Sequence, residues 1–278
     1  MDSTRVPPQA ESHTPKIAEM AAADAAVAIL HARGPAESVL LIRRTEREND
    51  PWSGHWSFPG GRRALEDRDL LDTALRELEE ECGIHLAREQ LTAALPAALA
   101  RRRVGKFLLV APFLFRVDDE RLAVLDPREA AEALWVRLSV LRDPARHTLR
   151  AVPGLPPEVW FPAIELPGPP LWGFTYRLIA EWLELNPRDD TPEAAGFQAA
   201  REILDLLLSH GLTLARGWEE CEGAHVAEVK GEIPVALVRD AVSRPAGQIP
   251  RVNMLEVRPD FIRVVGLAFE EYLIRASG

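Results

Sequence analysis

Between Asp69 and Glu81 the chain carries a segment that is apolar on one side and acidic on another. Leu71, Ala74, Leu75, Leu78 and Cys82 recur at helical spacing, and Gly83 is a good helix stop. Such a stripe needs a sheet or a second helix to cover it. The same segment holds six acids, Asp69, Asp72, Glu77, Glu79, Glu80 and Glu81, and one base, Arg76. Four of those acids crowd the C-terminal end of the helix, where the macrodipole disfavours negative charge by about 0.3–1 kcal/mol each when exposed. Like charges at i,i+3 and i,i+4 add a further small penalty. Stability alone would have placed Lys or Arg there, and breaks of this kind concentrate at functional sites.

At about 100° per residue, Glu77, Glu80 and Glu81 share one face and Glu79 points elsewhere. Carboxylates drawn together in a cleft repel by up to about 4 kcal/mol per pair at 4 Å and an effective dielectric of 20. A hard divalent cation removes that repulsion, and all-oxygen ligation suits Mg²⁺ or Mn²⁺. Such ions polarise a phosphoryl oxygen and activate water. The competing reading is an ordinary solvated acidic face, which is what most charge runs are. The flanking residues decide between the two.

Gly61-Arg62-Arg63-Ala64-Leu65-Glu66-Asp67, followed by Arg76-Glu77-Leu78-Glu79-Glu80-Glu81-Cys82-Gly83-Ile84, resembles a Nudix box. The second half matches at every position. In the first half Asp67 stands where that box has Glu, and eight residues rather than seven separate it from Arg76. The longer spacing is similar to that of coenzyme A diphosphatases. So is the upstream run Leu40-Leu41-Ile42-Arg43-Arg44-Thr45-Glu46 with Asp50, Gly54 and Phe58-Pro59-Gly60-Gly61, and so is Leu171-Trp172-Gly173-Phe174-Thr175. Against that subgroup Ile42, Thr45, Glu46, Asp50 and Ala64 differ, and Asp50 replaces an Arg that would suit an anionic substrate. The resemblance covers roughly residues 20–186.

The resemblance implies an α/β fold of the Nudix type, an α/β/α sandwich with a mixed sheet. It also implies a Mg²⁺- or Mn²⁺-dependent hydrolase acting on a small-molecule nucleotide. It makes Glu77, Glu80 and Glu81 metal ligands and catalytic groups, adds Asp67 and the Gly61 carbonyl to the metal set, and has Arg76 orient a carboxylate of the box. Arg44, Thr45, Gly54, Phe58, Gly60 and Arg62 are the expected substrate contacts, and Arg43 and Arg63 are further candidates to grip phosphate, as guanidinium forks match it. Gly60 and Gly61 are expected to let the backbone turn and approach metal or phosphate. The expected substrate is coenzyme A or an acyl-CoA, cut to a phosphopantetheine and adenosine 3′,5′-bisphosphate. The alternatives are a broader hydrolase of NADH, ADP-ribose or dinucleoside polyphosphates, and a non-catalytic nucleotide-sensing module.

Other side chains carry two readings. Trp52 and Trp56 can stack on a base or fill the core. Arg101, Arg102, Arg103 and Lys106 are a weaker phosphate candidate that reads more readily as surface. His55 has no metal-ligand partner in sequence, and Cys82 falls on the apolar stripe and reads as core.

Acids outnumber bases by 43 to 33 and the net charge is −10, which argues against general binding to nucleic acid or acidic membranes. Cys82 and Cys221, the two cysteines, read as reduced thiols of a cytoplasmic protein. The opening residues have no apolar h-region and no stretch is long and apolar enough to span a membrane. The expected organisation is a disordered tail over 1–20, a Nudix domain over 21–187 and a small α+β extension over 190–278. For the extension, a homodimer contact, a lid over the substrate cleft and structural cover stand side by side. Within it the pattern predicts a helix over 193–209, strands at 212–218, 225–230 and 234–239, and a final amphipathic helix over 261–274.

Overall fold

The computed structural model describes residues 23–47, 53–101, 107–152, 154–185, 192–243 and 249–277. The expected tail over 1–20, the positions Asp50, Trp52, Arg102, Arg103 and Lys106, and the boundary residues 186–191 lie outside them. The first part of the chain forms β1 (Ala25–Ala32), β2 (Ser38–Arg44), β3 (Trp56–Ser57), β4 (Gly60–Arg62), α1 (Leu70–Cys82), β5 (Leu91–Ala94), β6 (Ala98–Arg101) and β7 (Phe107–Val117). Then come β8 (Ala130–Arg137), α2 (Leu138–Leu141), β9 (His147–Ala151), β10 (Val159–Ile164), β11 (Leu171–Trp172) and α3 (Gly173–Trp182). The last part forms α4 (Pro192–Ser209), β12 (Thr213–Cys221), β13 (Ala224–Lys230), α5 (Val235–Ser243), β14 (Val252–Val257), β15 (Phe261–Gly266) and β16 (Glu271–Ser277). The architecture is mixed α/β, as expected. Its elements fall into two compact units, each discontinuous in sequence: residues up to Arg33 with Pro59–Asp126, and Gly34–Phe58 with the chain from Pro127 onward.

In the first unit β1 runs parallel to β7, from Ala25 opposite Val110 to Ala32 opposite Val117. β4 lies antiparallel to β1, with Ala26 opposite Gly61 and Val27 opposite Gly60. β5 and β6 pair antiparallel with β7. The near-continuous apolar run Ala25–Ala32 fits a strand covered on both faces, and it is buried at every position but Val27. Helix α1 lies against β1, β4 and β7 through Leu70, Leu71, Ala74, Leu78 and Cys82. Each leucine buried there contributes about 1.5–3 kcal/mol.

In the second unit β2 pairs antiparallel with β3 and β8. A separate sheet runs β10–β14–β15–β16–β13–β12, with β9 and β11 joined to β10. β13 and β16 are parallel. Ala200, Ile203, Leu204 and Leu207 of α4 and Val238 of α5 close over Leu255, Ile262, Val264 and Ile274 of this sheet.

Two elements differ from the sequence expectation. Residues 261–274 form the hairpin β15–β16 rather than a helix, with Ile262 opposite Ile274 and both fully buried. The β-branched Ile262, Val264 and Val265 favour the strand, and Phe269 takes a positive φ of 66° in the turn. Residues 235–243 form a helix where a strand was expected over 234–239. Val235, Val238 and Val242 recur at helical spacing and face the core. The sequence pattern predicts no element where β14 forms.

Candidate functional site

The site is built on two glycines. Neither Gly60 nor Gly61 has a positive φ, so they serve close approach rather than a turn. A β-carbon at Gly60 would lie 2.4 Å from the Ala26 carbonyl oxygen, so only glycine lets β4 sit this close to β1. A β-carbon at Gly61 would lie 2.3 Å from Glu77 Oε1. The Glu77 carboxylate thus rests in the space that a side chain at 61 would take. One residue earlier, the Gly60 N–H donates to Glu81 Oε2 at 2.8 Å. Two glutamates of α1 are in this way seated on the backbone of β4.

Helix α1 is fixed at both ends. Asp69 is its N-cap and accepts from the Asp72 N–H at 3.0 Å. Arg88 pairs with Asp69 and Asp72, and Arg68 pairs with Asp72. Arg68 and Arg88 hold the Asp72 carboxyl down at about 2. At the other end Gly83 takes φ 63° and its N–H bonds the Glu79 carbonyl. Val124 N–H donates to the Cys82 carbonyl at 2.8 Å and Asp126 N–H to that of Glu81 at 3.3 Å. The loop around residues 124–126 therefore satisfies carbonyls that the helix leaves open where its acids crowd.

Arg76 is the centre of the cluster. Its Nε donates to Asp67 Oδ1 at 3.0 Å and its Nη2 to Asp67 Oδ2 and to the Arg62 carbonyl, each at 3.1 Å. Its Nη1 pairs with Glu77 Oε1 at 2.9 Å and Glu80 Oε2 at 2.7 Å. Asp67 raises the guanidinium's affinity for its proton, and Arg76 in turn lowers the Asp67 carboxyl from its ordinary range, against the opposing effect of burial. Asp67 Oδ2 also accepts from the Ala64 N–H at 2.9 Å and the Thr73 hydroxyl at 2.8 Å.

Of the predicted metal set, Glu77, Glu80, Glu81, Asp67 and Gly61 all come from this one loop and helix. Glu81 is buried, Glu77 nearly so and Glu80 half exposed. Asp67 has both oxygens engaged by Arg76, Ala64 and Thr73, a geometry that suits an anchor better than a ligand. Among the described residues no three His, Cys, Asp or Glu side chains already converge as a cation cage. The oxygen-only donor set, and a glycine cradle that a β-carbon would fill, fit a hard divalent ion.

Arg63 donates to the carbonyls of Asp67 and Arg68 and holds the loop, while the Arg62 side chain is exposed. Arg44, Thr45, Gly54 and Phe58 belong to the other compact unit. There the Arg44 N–H bonds the His55 carbonyl, Thr45 Oγ1 donates to the Pro127 carbonyl at 2.9 Å, Gly54 takes φ 72° and Phe58 is buried. Trp56 is buried, with its indole N–H on the Pro169 carbonyl at 2.9 Å, so it packs rather than stacks on a ligand. His55 meets Trp172 edge-on, and Arg43 pairs with Glu132. Cys82 is buried, its thiol pushed up to about 12 by burial and by Glu81; Cys221 is an exposed free thiol. Neither Thr73 nor the Ala64 N–H is among the residues that the motif marks. A threonine interrupting an apolar stripe was the one available signal.

The chain matches the NUDIX domain over residues 22–156. This stretch is a Nudix domain. Within 114 residues, 40% of this chain, it is 38% identical to an uncharacterised protein of Schizosaccharomyces pombe, covering 35% of that protein. Over 90 residues, 32% of this chain, it is 32% identical to the mitochondrial coenzyme A diphosphatase NUDT8 of Mus musculus, covering 41% of it. The matches thus span between a third and a half of these curated relatives. Among solved structures, a Nudix hydrolase from M. Smegmatis, RenU, is 27% identical with a TM-score of 0.33, over 42% of this chain and 71% of that one. The Nudix domain includes β1, β4, α1 and the whole Arg76 cluster.

Proposed function

We propose that this protein is a divalent-cation-dependent diphosphatase that cuts the diphosphate of coenzyme A or an acyl-CoA. The products are a phosphopantetheine and adenosine 3′,5′-bisphosphate. The observation that carries the reading is the seating of Glu77 and Glu81 on the Gly60–Gly61 backbone, with Glu77 and Glu80 tied to one guanidinium. Glu77, Glu80 and Glu81, with the Gly61 carbonyl, would hold Mg²⁺ or Mn²⁺. When bound, the ion neutralises phosphate charge and makes water more acidic. Arg76 keeps Glu77 and Glu80 at a fixed separation, and Asp67 keeps Arg76 in place. One of the glutamates takes the proton of the attacking water. The exposed Arg62 is placed to meet phosphate. The coenzyme A choice is supported by the one-residue-longer spacing between Asp67 and Arg76 and by the relationship to a coenzyme A diphosphatase. None of the described helices is long and apolar enough to cross a membrane, and a cytoplasmic setting is part of the proposal.

The test is to incubate purified protein and Mg²⁺ or Mn²⁺ with coenzyme A, NADH and ADP-ribose and to identify products by mass. Turnover of coenzyme A alone supports the reading. Turnover of several substrates points to the broader hydrolase, and binding without turnover to a sensing module. Glu80→Gln should lower kcat by about 100-fold or more; a fully active variant would refute the assignment of the glutamates.

A further inference from the structure

Thr73 lies on the covered side of α1 and is fully buried. A hydroxyl buried without a partner costs about 1–3 kcal/mol by protein mutational data, so a purely packing role would favour Ala or Val here. Threonine in a helix commonly bonds the carbonyl four residues back. Thr73 does so weakly, at 3.3 Å to Asp69. Its short bond, 2.8 Å, goes to Asp67 Oδ2. An ionised acceptor makes this one of the stronger kinds of hydrogen bond.

That bond completes a closed set. Asp67 accepts from Arg76 Nε at Oδ1 and from Ala64 N, Thr73 Oγ1 and Arg76 Nη2 at Oδ2, so Thr73 shares one oxygen with the loop and the guanidinium. Arg76 has five N–H donors, and its five contacts are Asp67 Oδ1, Asp67 Oδ2, the Arg62 carbonyl, Glu77 and Glu80. A planar fork anchored along one edge has no freedom left along the other. The rotation of the Asp67 carboxylate sets the guanidinium plane, and that plane sets where Glu77 and Glu80 stand. Ala64 N and Arg76 restrain the carboxylate from the loop and helix sides. Among the described residues Thr73 is the only one whose side-chain hydroxyl meets it.

We propose that Thr73 is a positioning residue for the cation site: through Asp67 and Arg76 it holds Glu77 and Glu80 in the spacing that binds the ion. The inference rests on the diphosphatase reading above. Thr73 touches neither ion nor substrate, and its effect passes through the network alone.

The experiment is Mn²⁺ binding to the full-length protein without substrate. It is followed by the electron paramagnetic resonance of free Mn²⁺, at a temperature where circular dichroism shows every variant folded. Thr73→Val keeps the shape and removes the donor; Thr73→Ser keeps the donor. Thr73→Val should weaken Mn²⁺ binding about 10-fold, as expected when a hydrogen bond to a charged group is lost. Thr73→Ser should stay within about 2-fold of the wild type. Hydrolysis by Thr73→Val should recover at high Mn²⁺ with KM for the nucleotide unchanged. Should Thr73→Val not fold, Thr73→Ala carries the same comparison, since alanine suits a helix interior. A donor-less variant that binds Mn²⁺ as tightly as wild type, and merely melts lower, overturns the inference and leaves the hydrolase reading standing. Wild-type protein that neither binds Mn²⁺ nor cuts a diphosphate overturns both.

Discussion

The contact between Gly61 and Glu77 is where one atom has the largest consequence. A methyl at 61 would meet the Glu77 carboxylate at 2.3–2.7 Å. The flexible end of Glu77 can move aside, so Gly61→Ala should fold, at a cost of about 1–3 kcal/mol for the added bulk. Displacing a reacting group by about 1 Å can lower a rate 100-fold, so kcat should drop by about that factor. Gly60→Ala differs in kind, since its β-carbon would strike the Ala26 carbonyl and Val27 Cα, which are backbone. It should lose far more stability. Urea midpoints and kcat for the two variants separate the cases, and an active Gly61→Ala would contradict the seating of Glu77. At this scale the motif residues were legible because their types and spacing are confined by chemistry. The partners of Arg76 were only half legible. Its pairing within the box was expected, but the reach to Arg62 and the engagement of Asp67 by Thr73 depend on how the loop 62–69 folds back, which spacing does not encode.

Elements are held together by a few buried polar groups, and His147 at the start of β9 shows how. Its Nε2 lies 2.8 Å from the Leu141 carbonyl at the end of α2, so Nε2 carries the proton. Nδ1 then accepts from the Tyr176 hydroxyl of α3 at 3.0 Å. The ring is fully buried, and burial lowers its pKa from 6.5. Between the lowered folded value and 6.5 the unfolded chain binds more protons than the folded one. The stability from a neutral His147 is therefore present above about pH 6.5 and is lost as pH falls through the folded value. Urea midpoints should decline from pH 7.5 to 5.5 in the wild type and decline less in His147→Leu. That variant should also lose about 1–3 kcal/mol at pH 7.5, because Tyr176 is left without its acceptor. Equal pH dependence in both proteins would contradict this account. Periodicity made α1 and α4 readable, since each shows one clear pattern. Residues 261–274 carry two at once. Phe261, Val264, Val265, Ala268 and Tyr272 follow a helical spacing, while Ile262 with Val264, and Tyr272 with Ile274, alternate as strands do. Pairing across the hairpin decides for the strands, and pairing is a tertiary fact. In 234–239 the β-branched valines suggested a strand, and the helical period shows only when Val242 is included.

At the scale of the molecule, the C-terminal residues are bound into a larger sheet. β10 pairs with β14 through Val159 opposite Glu256 and Trp160 opposite Leu255. Leu149 and Trp160 pack against a core whose buried members all lie between Ala200 and Ile274. The unit holding that core also takes in residues 34–58. The polar run over 186–192, with a proline near each end, reads as a domain boundary from sequence, because composition does not report which strands pair across it. A chain ending at Pro187 tests what the extension is for. If it were an appendage, the remaining fragment would melt as the full chain does. Strand β10 instead loses its β14 ladder, and Leu149 and Trp160 lose their cover, at about 1.5–3 kcal/mol for each large apolar side chain. That is a large share of a typical domain's margin of 5–15 kcal/mol. The fragment should therefore express poorly, bind a hydrophobic dye and unfold at lower urea than the intact protein, with Mn²⁺ affinity compared on whatever remains folded. A soluble fragment with an unchanged urea midpoint would show that β10 does not depend on β14.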